Sequence, residues 1–132
     1  GDLSETRDGG YAEFARVPAE LVVPMPAGFE AADAMAIGTA GVSAAWAIMR
    51  MEANGQTPAG GPVVVTGASG GVGSLAVDML AGSGYRVVAV TGKAAAHDYL
   101  RALGASEVMA VGDLGAADQP LLPARRPASR CP

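Results

Sequence analysis

The sequence predicts an α/β protein containing the first half of a doubly wound parallel sheet, and three observations carry that reading. The first is a glycine-rich turn, Thr66-Gly67-Ala68-Ser69-Gly70-Gly71-Val72-Gly73, entered by the β-branched run Val63-Val64-Val65. The second is what leaves the turn: Leu75, Ala76, Met79 and Leu80 come after Val72 at helical spacing. The third is repetition, because residues 63–111 read strand, helix, strand, helix, strand. That order is one complete mononucleotide-binding half of a doubly wound sheet.

Residues 1–10 are polar and end in Gly9-Gly10, a loop. Residues 11–17 mix aromatic and small side chains with Glu13 and Arg16, the pattern of a half-exposed strand stopped by Pro18. Leu21-Val22-Val23 reads as a second short strand closed by Pro24-Met25-Pro26. Two such strands cannot build a core, so residues 1–28 are expected to be the end of a larger β-rich domain. Residues 29–62 form a linking region. A short helix over 30–37 breaks at Gly38, and Thr39 is a suitable N-cap for a second helix running to about Glu52. Val42, Ala45, Trp46 and Met49 form one stripe of that helix, and Ala44, Ile48 and Met51 widen it, so it is expected to lie between two layers with Trp46 in a core. Asn54-Gly55 ends it, and residues 57–62 are a Pro/Gly-rich link.

Beyond the helix that leaves the glycine turn, Gly82-Ser83-Gly84 leads to a second strand over 86–91. Residues 94–103 form the next helix, with Tyr99, Leu100 and Leu103 inward and Gly104 as its stop. A third strand covers 107–111. Residues 113–132 then hold four of the nine prolines and Arg125-Arg126, with neither period 2 nor period 3.6, and are expected to be irregular.

Composition excludes several classes of function. Half of the 132 residues are hydrophobic and the net charge is −4, which argues against a nucleic-acid surface. One cysteine, Cys131, and one histidine, His97, give neither an intramolecular disulfide nor an ordinary zinc cluster, so no metal is expected. No apolar run reaches the roughly 18 residues of a membrane helix. The charged and polar start, Gly-Asp-Leu-Ser-Glu-Thr-Arg-Asp, is unlike a signal peptide, and a cytoplasmic location is the expectation.

The chemistry concentrates in the turn. Gly70 and Gly71 let the backbone approach a pyrophosphate with no Cβ in the way. The amides of 69–72 would face that ligand, aided by the helix dipole, and Gly73 lets the helix pack close to the strand behind it. About 20 residues on, an NAD-binding unit carries an acidic residue for the ribose 2′-hydroxyl. Here the corresponding stretch is Thr91-Gly92-Lys93, with no carboxylate. Room, donors and a cation suit a 2′-phosphate, and Lys93 stands before a helix start, where an anion would relieve it. The expected cofactor is NADP(H). His97, Asp98, Asp33, Asp78 and Glu52 read as solvated helix residues, and no paired-carboxylate or nucleophile–base spacing assigns a catalytic residue.

Two families share such a turn. Thr-Gly-x-x-x-Gly-x-Gly could open a short-chain dehydrogenase, but none of Tyr11, Tyr85 and Tyr99 has Lys four places later. The rest resembles the medium-chain dehydrogenase/reductase superfamily. The stretch from Gly9-Gly10-Tyr11-Ala12-Glu13 to Val17-Pro18 looks like the strand returning from its GroES-like catalytic domain. Gly38-Thr39-Ala40-Gly41 looks like its inter-domain element, and Leu103-Gly104-Ala105 resembles the end of its second Rossmann helix. With Thr91-Gly92-Lys93, the set is similar to the zinc-free, quinone-oxidoreductase-like branch that includes acryloyl-CoA reductase.

That resemblance covers roughly residues 1–111 and implies an NADPH-dependent reductase of a conjugated double bond in a 2-enoyl thioester, or of a quinone-like substrate. It implies that Ser69, Gly70, Gly71 and Val72 hold the pyrophosphate, and that Thr91, Gly92 and Lys93 hold the adenosine phosphate. Partners are then a small-molecule substrate and, in the full-length protein, a second copy, with no nucleic acid and no membrane. The missing parts of both domains lead to the expectation of a fragment that does not turn over substrate alone. The alternative is a truncated nucleotide-binding chain without catalysis.

Overall fold

The computed structural model describes residues 6–114. They fall into two units, one ending at Ala36 and the other beginning at Ile37.

In the first unit the regular element before residue 31 is one 3-10 turn, Ala19–Leu21. Neither 11–17 nor 21–23 forms a strand, which corrects the expectation from the sequence. Val22 does adopt an extended conformation (φ −100°, ψ 127°). Its neighbours Pro24 and Pro26 have no N–H to give a ladder. The local backbone preference was legible, but extended backbone becomes a strand only when a neighbour pairs with it.

Helix α1 spans Ala31–Ala53 and is broken at Gly38, whose φ of 47° and ψ of −155° are not helical. The break predicted at Gly38 is therefore present. At the N-terminus the Glu30 amide donates to Asp33 Oδ2 at 3.0 Å, the reach-back half of a capping box. Asp33 is thus a cap, not merely a solvated charge. At the other end Asn54 Nδ2 donates to the Arg50 carbonyl at 2.7 Å, and Gly55 takes φ 89°.

The second unit holds the sheet. β1 (Val63–Thr66), β2 (Val87–Thr91) and β3 (Glu107–Ala110) are parallel in the order β1-β2-β3. Val63 pairs with Val87 and Val88 with Glu107. β2 is buried along its whole length, as the central strand of a parallel sheet should be. Helix α2 (Gly71–Gly82) joins β1 to β2, and a 3-10 turn at Ala94–Ala96 leading into α3 (His97–Ala102) joins β2 to β3. Val77, Leu80 and Leu100 pack with Val87, Ala89 and Tyr85 in one core, and Ile48 and Met51 of α1 lie against it.

Both connecting helices end in the same way. After α2, Gly84 at φ 83° donates to the Ala81 carbonyl, and Tyr85 N–H reaches the Leu80 carbonyl. After α3, Gly104 at φ 98° donates to the Arg101 carbonyl, and Ala105 N–H reaches the Leu100 carbonyl. These are Schellman motifs with the apolar contact that usually accompanies them, since Leu80, Tyr85, Leu100 and Ala105 are all core residues.

The faces differ from the sequence reading in two places. Gly41 and Ala44 of α1 are buried, whereas Trp46 is 66% exposed and Val42 and Met49 are exposed too. The stripe read as core is the outer one, because no second layer covers it among the described residues of this unit. Tyr99, read as inward, is likewise 51% exposed, while Leu100 is fully buried. The length of α1 also corrects the membrane argument. Its 23 residues, with a mean hydropathy of 1.3, are enough to cross a bilayer by length and composition. It is broken at Gly38, and Ile48 and Met51 on one side of it pack against the sheet core.

The Tyr85 hydroxyl lies 3.0 Å from Glu52 Oε1 and 3.2 Å from the Gln56 carbonyl oxygen, and shares its hydrogen between them. This fastens the end of α1 to the sheet, and Glu52, exposed as expected, is also the acceptor there. Burial, and after it the Glu52 carboxylate, raises the Tyr85 phenol above its ordinary value of 10.0. A raised folded-state value means stability that is fully present below the unfolded value and lost as pH rises through the folded one. Tyr85→Phe should therefore lower the denaturation midpoint at neutral pH. The gap from the parent should persist to about pH 9 and close above about pH 10. A gap that stayed constant to high pH would contradict this account of the contact.

Candidate functional site

The site is built where β1 ends. Gly67 takes φ 60°, a conformation that L side chains rarely adopt, and turns the chain back. Ala68 is fully buried and donates to the Val90 carbonyl of β2 at 3.0 Å. Gly70 N–H then returns to the Gly67 carbonyl at 2.9 Å, and Ser74 N–H makes its helical bond to the Gly70 carbonyl. The amides of Gly71, Val72 and Gly73 precede the helical ladder. No side chain caps this helix, and no acidic residue stands in its first turn.

One predicted donor is corrected by this geometry. Gly70 N–H is turned into its own turn by its bond to Gly67 and is not free to face a ligand. The free group of amides moves one residue along, to 71–73. Gly73 is a close-approach position, but against the turn at Gly67 and Ala68 and not against the strand behind it that the sequence suggested. A Cβ there would lie 2.8 Å from Ala68 Cα and closer still to the Gly67 carbonyl oxygen. Gly71 is open, with Ala40 the nearest neighbour at 3.7 Å from such a Cβ. The stretch 38–41 thus reaches the first turn of α2, a placement the sequence reading missed. Its signal was two small residues, Ala40 and Gly41; a Cβ at Gly41 would run into the Ile37 side chain.

The second predicted group sits at the end of β2. Thr91 is 2% exposed, and its hydroxyl is 2.8 Å from Ser69 Oγ. It also accepts from the Lys93 amide at 3.1 Å. The structure therefore brings Ser69 and Thr91 together across 22 positions and ties the Lys93 backbone to them. Gly92 has only Val111 Cγ2 near it, 3.9 Å from where a Cβ would stand. The Lys93 side chain is exposed and makes no hydrogen bond or ion pair with a described residue. Lys93 leads into a three-residue 3-10 turn, and α3 starts only at His97. The conflict with a helix dipole is accordingly weaker than the sequence suggested. His97 is half-buried, and the exposed Asp98 pairs with Arg101 at 2.8 Å. Among the described residues no three His, Cys, Asp or Glu side chains gather as metal ligands, and Cys131 lies outside them.

A glycine turn between β1 and α2, facing the end of the adjacent parallel strand, defines a Rossmann-type α/β unit. No family model matches the chain. The chain is 50% identical over 113 residues to a putative quinone oxidoreductase of Bacillus subtilis, covering 86% of this chain and 34% of that protein. It is also 50% identical over 108 residues to an acrylyl-CoA reductase of Ruegeria pomeroyi, covering 82% and 33%. Among solved structures, the yhdH oxidoreductase of Salmonella enterica in complex with NADP superposes with a TM-score of 0.82 at 46% identity, covering 86% of this chain and 35% of that one. The Bacillus subtilis protein, solved with NAD bound, gives 0.82 at 50% identity, covering 86% and 34%. The chain belongs to the medium-chain dehydrogenase/reductase superfamily, in its quinone-oxidoreductase-like branch. It spans about a third of the length of the curated relatives it matches.

The close approach at Gly73 yields a direct test. Gly73→Ala must push α2 away from backbone atoms that cannot move aside, which should cost about 1–3 kcal/mol. Gly82→Ala, where a Cβ would meet nothing within 4 Å, should leave stability unchanged or raise it. Denaturant unfolding of the two variants checks this. Equal midpoints would show that the helix is not seated on the turn.

Proposed function

We propose that this chain supplies the adenosine and pyrophosphate side of an NADPH-dependent oxidoreductase. The observation that carries the reading is the end of β2, where Thr91-Gly92-Lys93 has a buried hydroxyl, an open glycine, an ammonium without a partner among the described residues, and no carboxylate. The turn fits the rest of the cofactor. Its amides at Gly71, Val72 and Gly73 are uncapped, and Gly71 presents no side chain toward them. Ser69, Gly70, Gly71 and Val72 would hold the pyrophosphate, the Gly70 contribution being its bare backbone and not its amide. Thr91, Gly92 and Lys93 would hold the 2′-phosphate.

When bound, NADPH would supply a hydride for the β-carbon of a 2-enoyl thioester such as acryloyl-CoA, with a proton from solvent or an acid added at the α-carbon. Support for that substrate class comes from the relative in Ruegeria pomeroyi, an acrylyl-CoA reductase. A second reading, reduction of a quinone, is supported by the equally similar relative in Bacillus subtilis, a putative quinone oxidoreductase. NADPH oxidation by the whole protein with acryloyl-CoA and with a benzoquinone separates the two. Turnover of the quinone alone would favour the second.

The cofactor preference is tested by titrating the protein with NADPH and NADH. One charge-assisted contact to phosphate corresponds to roughly 10- to 100-fold in affinity, so Lys93→Ala should lose about that much for NADPH and little for NADH. The NAD bound to the Bacillus subtilis neighbour makes this a real alternative outcome. Equal affinity for both cofactors, unchanged in Lys93→Ala, would reject the NADPH reading.

A further inference from the structure

Helix α1 stops at a turn made by two residues that each serve the stop. Asn54 Nδ2 donates to the Arg50 carbonyl at 2.7 Å and satisfies one of the acceptors the helix end leaves open. Gly55 takes φ 89°, where a side chain would be strained, and its amide donates to the Glu52 carbonyl at 2.8 Å. The Gln56 amide reaches back to the Met51 carbonyl at 3.2 Å, which completes a Schellman motif. The Gln56 carbonyl in turn accepts the Tyr85 hydroxyl at 3.2 Å. Helix termination thus brings an asparagine directly before a glycine. Both residues are exposed, and a Cβ at Gly55 would meet nothing within 4 Å, so water reaches the pair.

That pair has a chemistry of its own. Once its proton has passed to a base, the Gly55 nitrogen can attack Asn54 Cγ and close a succinimide ring, with no Cβ on the glycine to obstruct it. The bond from Cγ to Nδ2 breaks, and Nδ2 takes up a proton and leaves as ammonia. Water then adds to one of the two imide carbonyls and opens the ring to aspartate or isoaspartate. Water enters, ammonia leaves, and nothing is oxidised or reduced.

We propose that Asn54-Gly55 is a spontaneous deamidation site, and that opening of the turn fastened by Tyr85 sets its rate. In the closed turn neither reacting group is available. The Glu52 carbonyl holds the Gly55 proton on its nitrogen, and the Arg50 carbonyl holds the Asn54 side chain. Both bonds must break before the nitrogen and Cγ can meet. The products cannot rebuild the turn. Aspartate has no N–H to give the Arg50 carbonyl, and it places a negative charge at a helix C-terminus, where the dipole opposes it. Isoaspartate lengthens the backbone by a methylene just before the residue that accepts the Gln56-side hydrogen bonds of the stop. Deamidation therefore loosens the end of α1 from the sheet in a change that folding does not reverse.

Asn54 is the single asparagine among the 132 residues, so a mass gain equal to water minus ammonia reports on it. The full chain is held at mildly alkaline pH with and without guanidinium chloride, and proteolytic fragments are weighed over time. With two hydrogen bonds to break, the native chain should deamidate about 10- to 30-fold more slowly than the denatured one. Tyr85→Phe removes both contacts of the hydroxyl and should raise the native rate about 3- to 10-fold without changing the denatured rate. Asn54→Gln should show no gain over the same period, because its longer side chain closes a ring slowly. Equal native and denatured rates would overturn the proposal, as would a Tyr85→Phe rate equal to the parent's in native buffer. A gain that persists in Asn54→Gln would place the reaction at another residue and overturn it too. Should Tyr85→Phe fail to fold, the parent's native-to-denatured ratio and Asn54→Gln still decide.

Discussion

The close seating of α2 on the turn before it is the constraint on which the rest depends. With hydrogen alone at Gly73, the helix approaches the Gly67 and Ala68 backbone. That approach seats the first helical turn, whose amides precede the helical ladder, directly behind the turn that leaves β1. Ala68, buried beneath, bonds to Val90 and so fixes the turn to the neighbouring strand. One residue beyond Val90 is Thr91, whose hydroxyl meets Ser69. A single steric permission at one glycine is thereby linked through two hydrogen bonds to the place where β2 ends. The turn and the strand end behave as one piece because every link between them is buried or half-buried and short.

Charge is distributed to match. The chain is acidic overall, at −4, yet several of its described acids are occupied elsewhere. Asp33 caps α1, Glu52 takes the Tyr85 hydroxyl, Asp98 pairs with Arg101, and Asp113 Oδ2 accepts the Ala110 amide at 3.3 Å. The first turn of α2 carries none. A helix terminus without a capping side chain or an acid keeps its partial positive charge available. The first turn of α2 thus leaves its partial charge unopposed by an acid of its own, which net charge alone does not show.

The sheet unit was legible in the sequence because its signals are local. β-branched runs, a 3.6-residue period and glycines at helix ends each specify conformation within a few residues, and Gly84 and Gly104 duly end their helices. Long-range partnership was not legible. Leu21-Val22-Val23 has strand composition without a strand beside it. Val42, Trp46 and Met49 have the periodicity of a buried stripe, but period alone does not say which of two apolar stripes meets the core. Gly41 and Ala44 settle it in the structure, since small residues allow the closer approach. The pairing of Ser69 with Thr91 escaped for the same reason, as it joins two loops that were each read by themselves.

At Lys93 the argument from the sequence needs replacing. In the sequence it stood before a predicted helix of ten residues, where a bare cation is unfavourable. In the structure the helical dipole there is that of one 3-10 turn and the six residues of α3 beyond it, and such a short segment sums to little. What supports an anion instead is that Lys93 has no side-chain partner among the described residues while its backbone is fastened in place by Thr91. A flexible cation on a fixed anchor loses less freedom when it binds, because the backbone ordering has already occurred on folding. That anchor is Thr91, a buried hydroxyl that accepts the Lys93 amide and meets Ser69 Oγ on its other side.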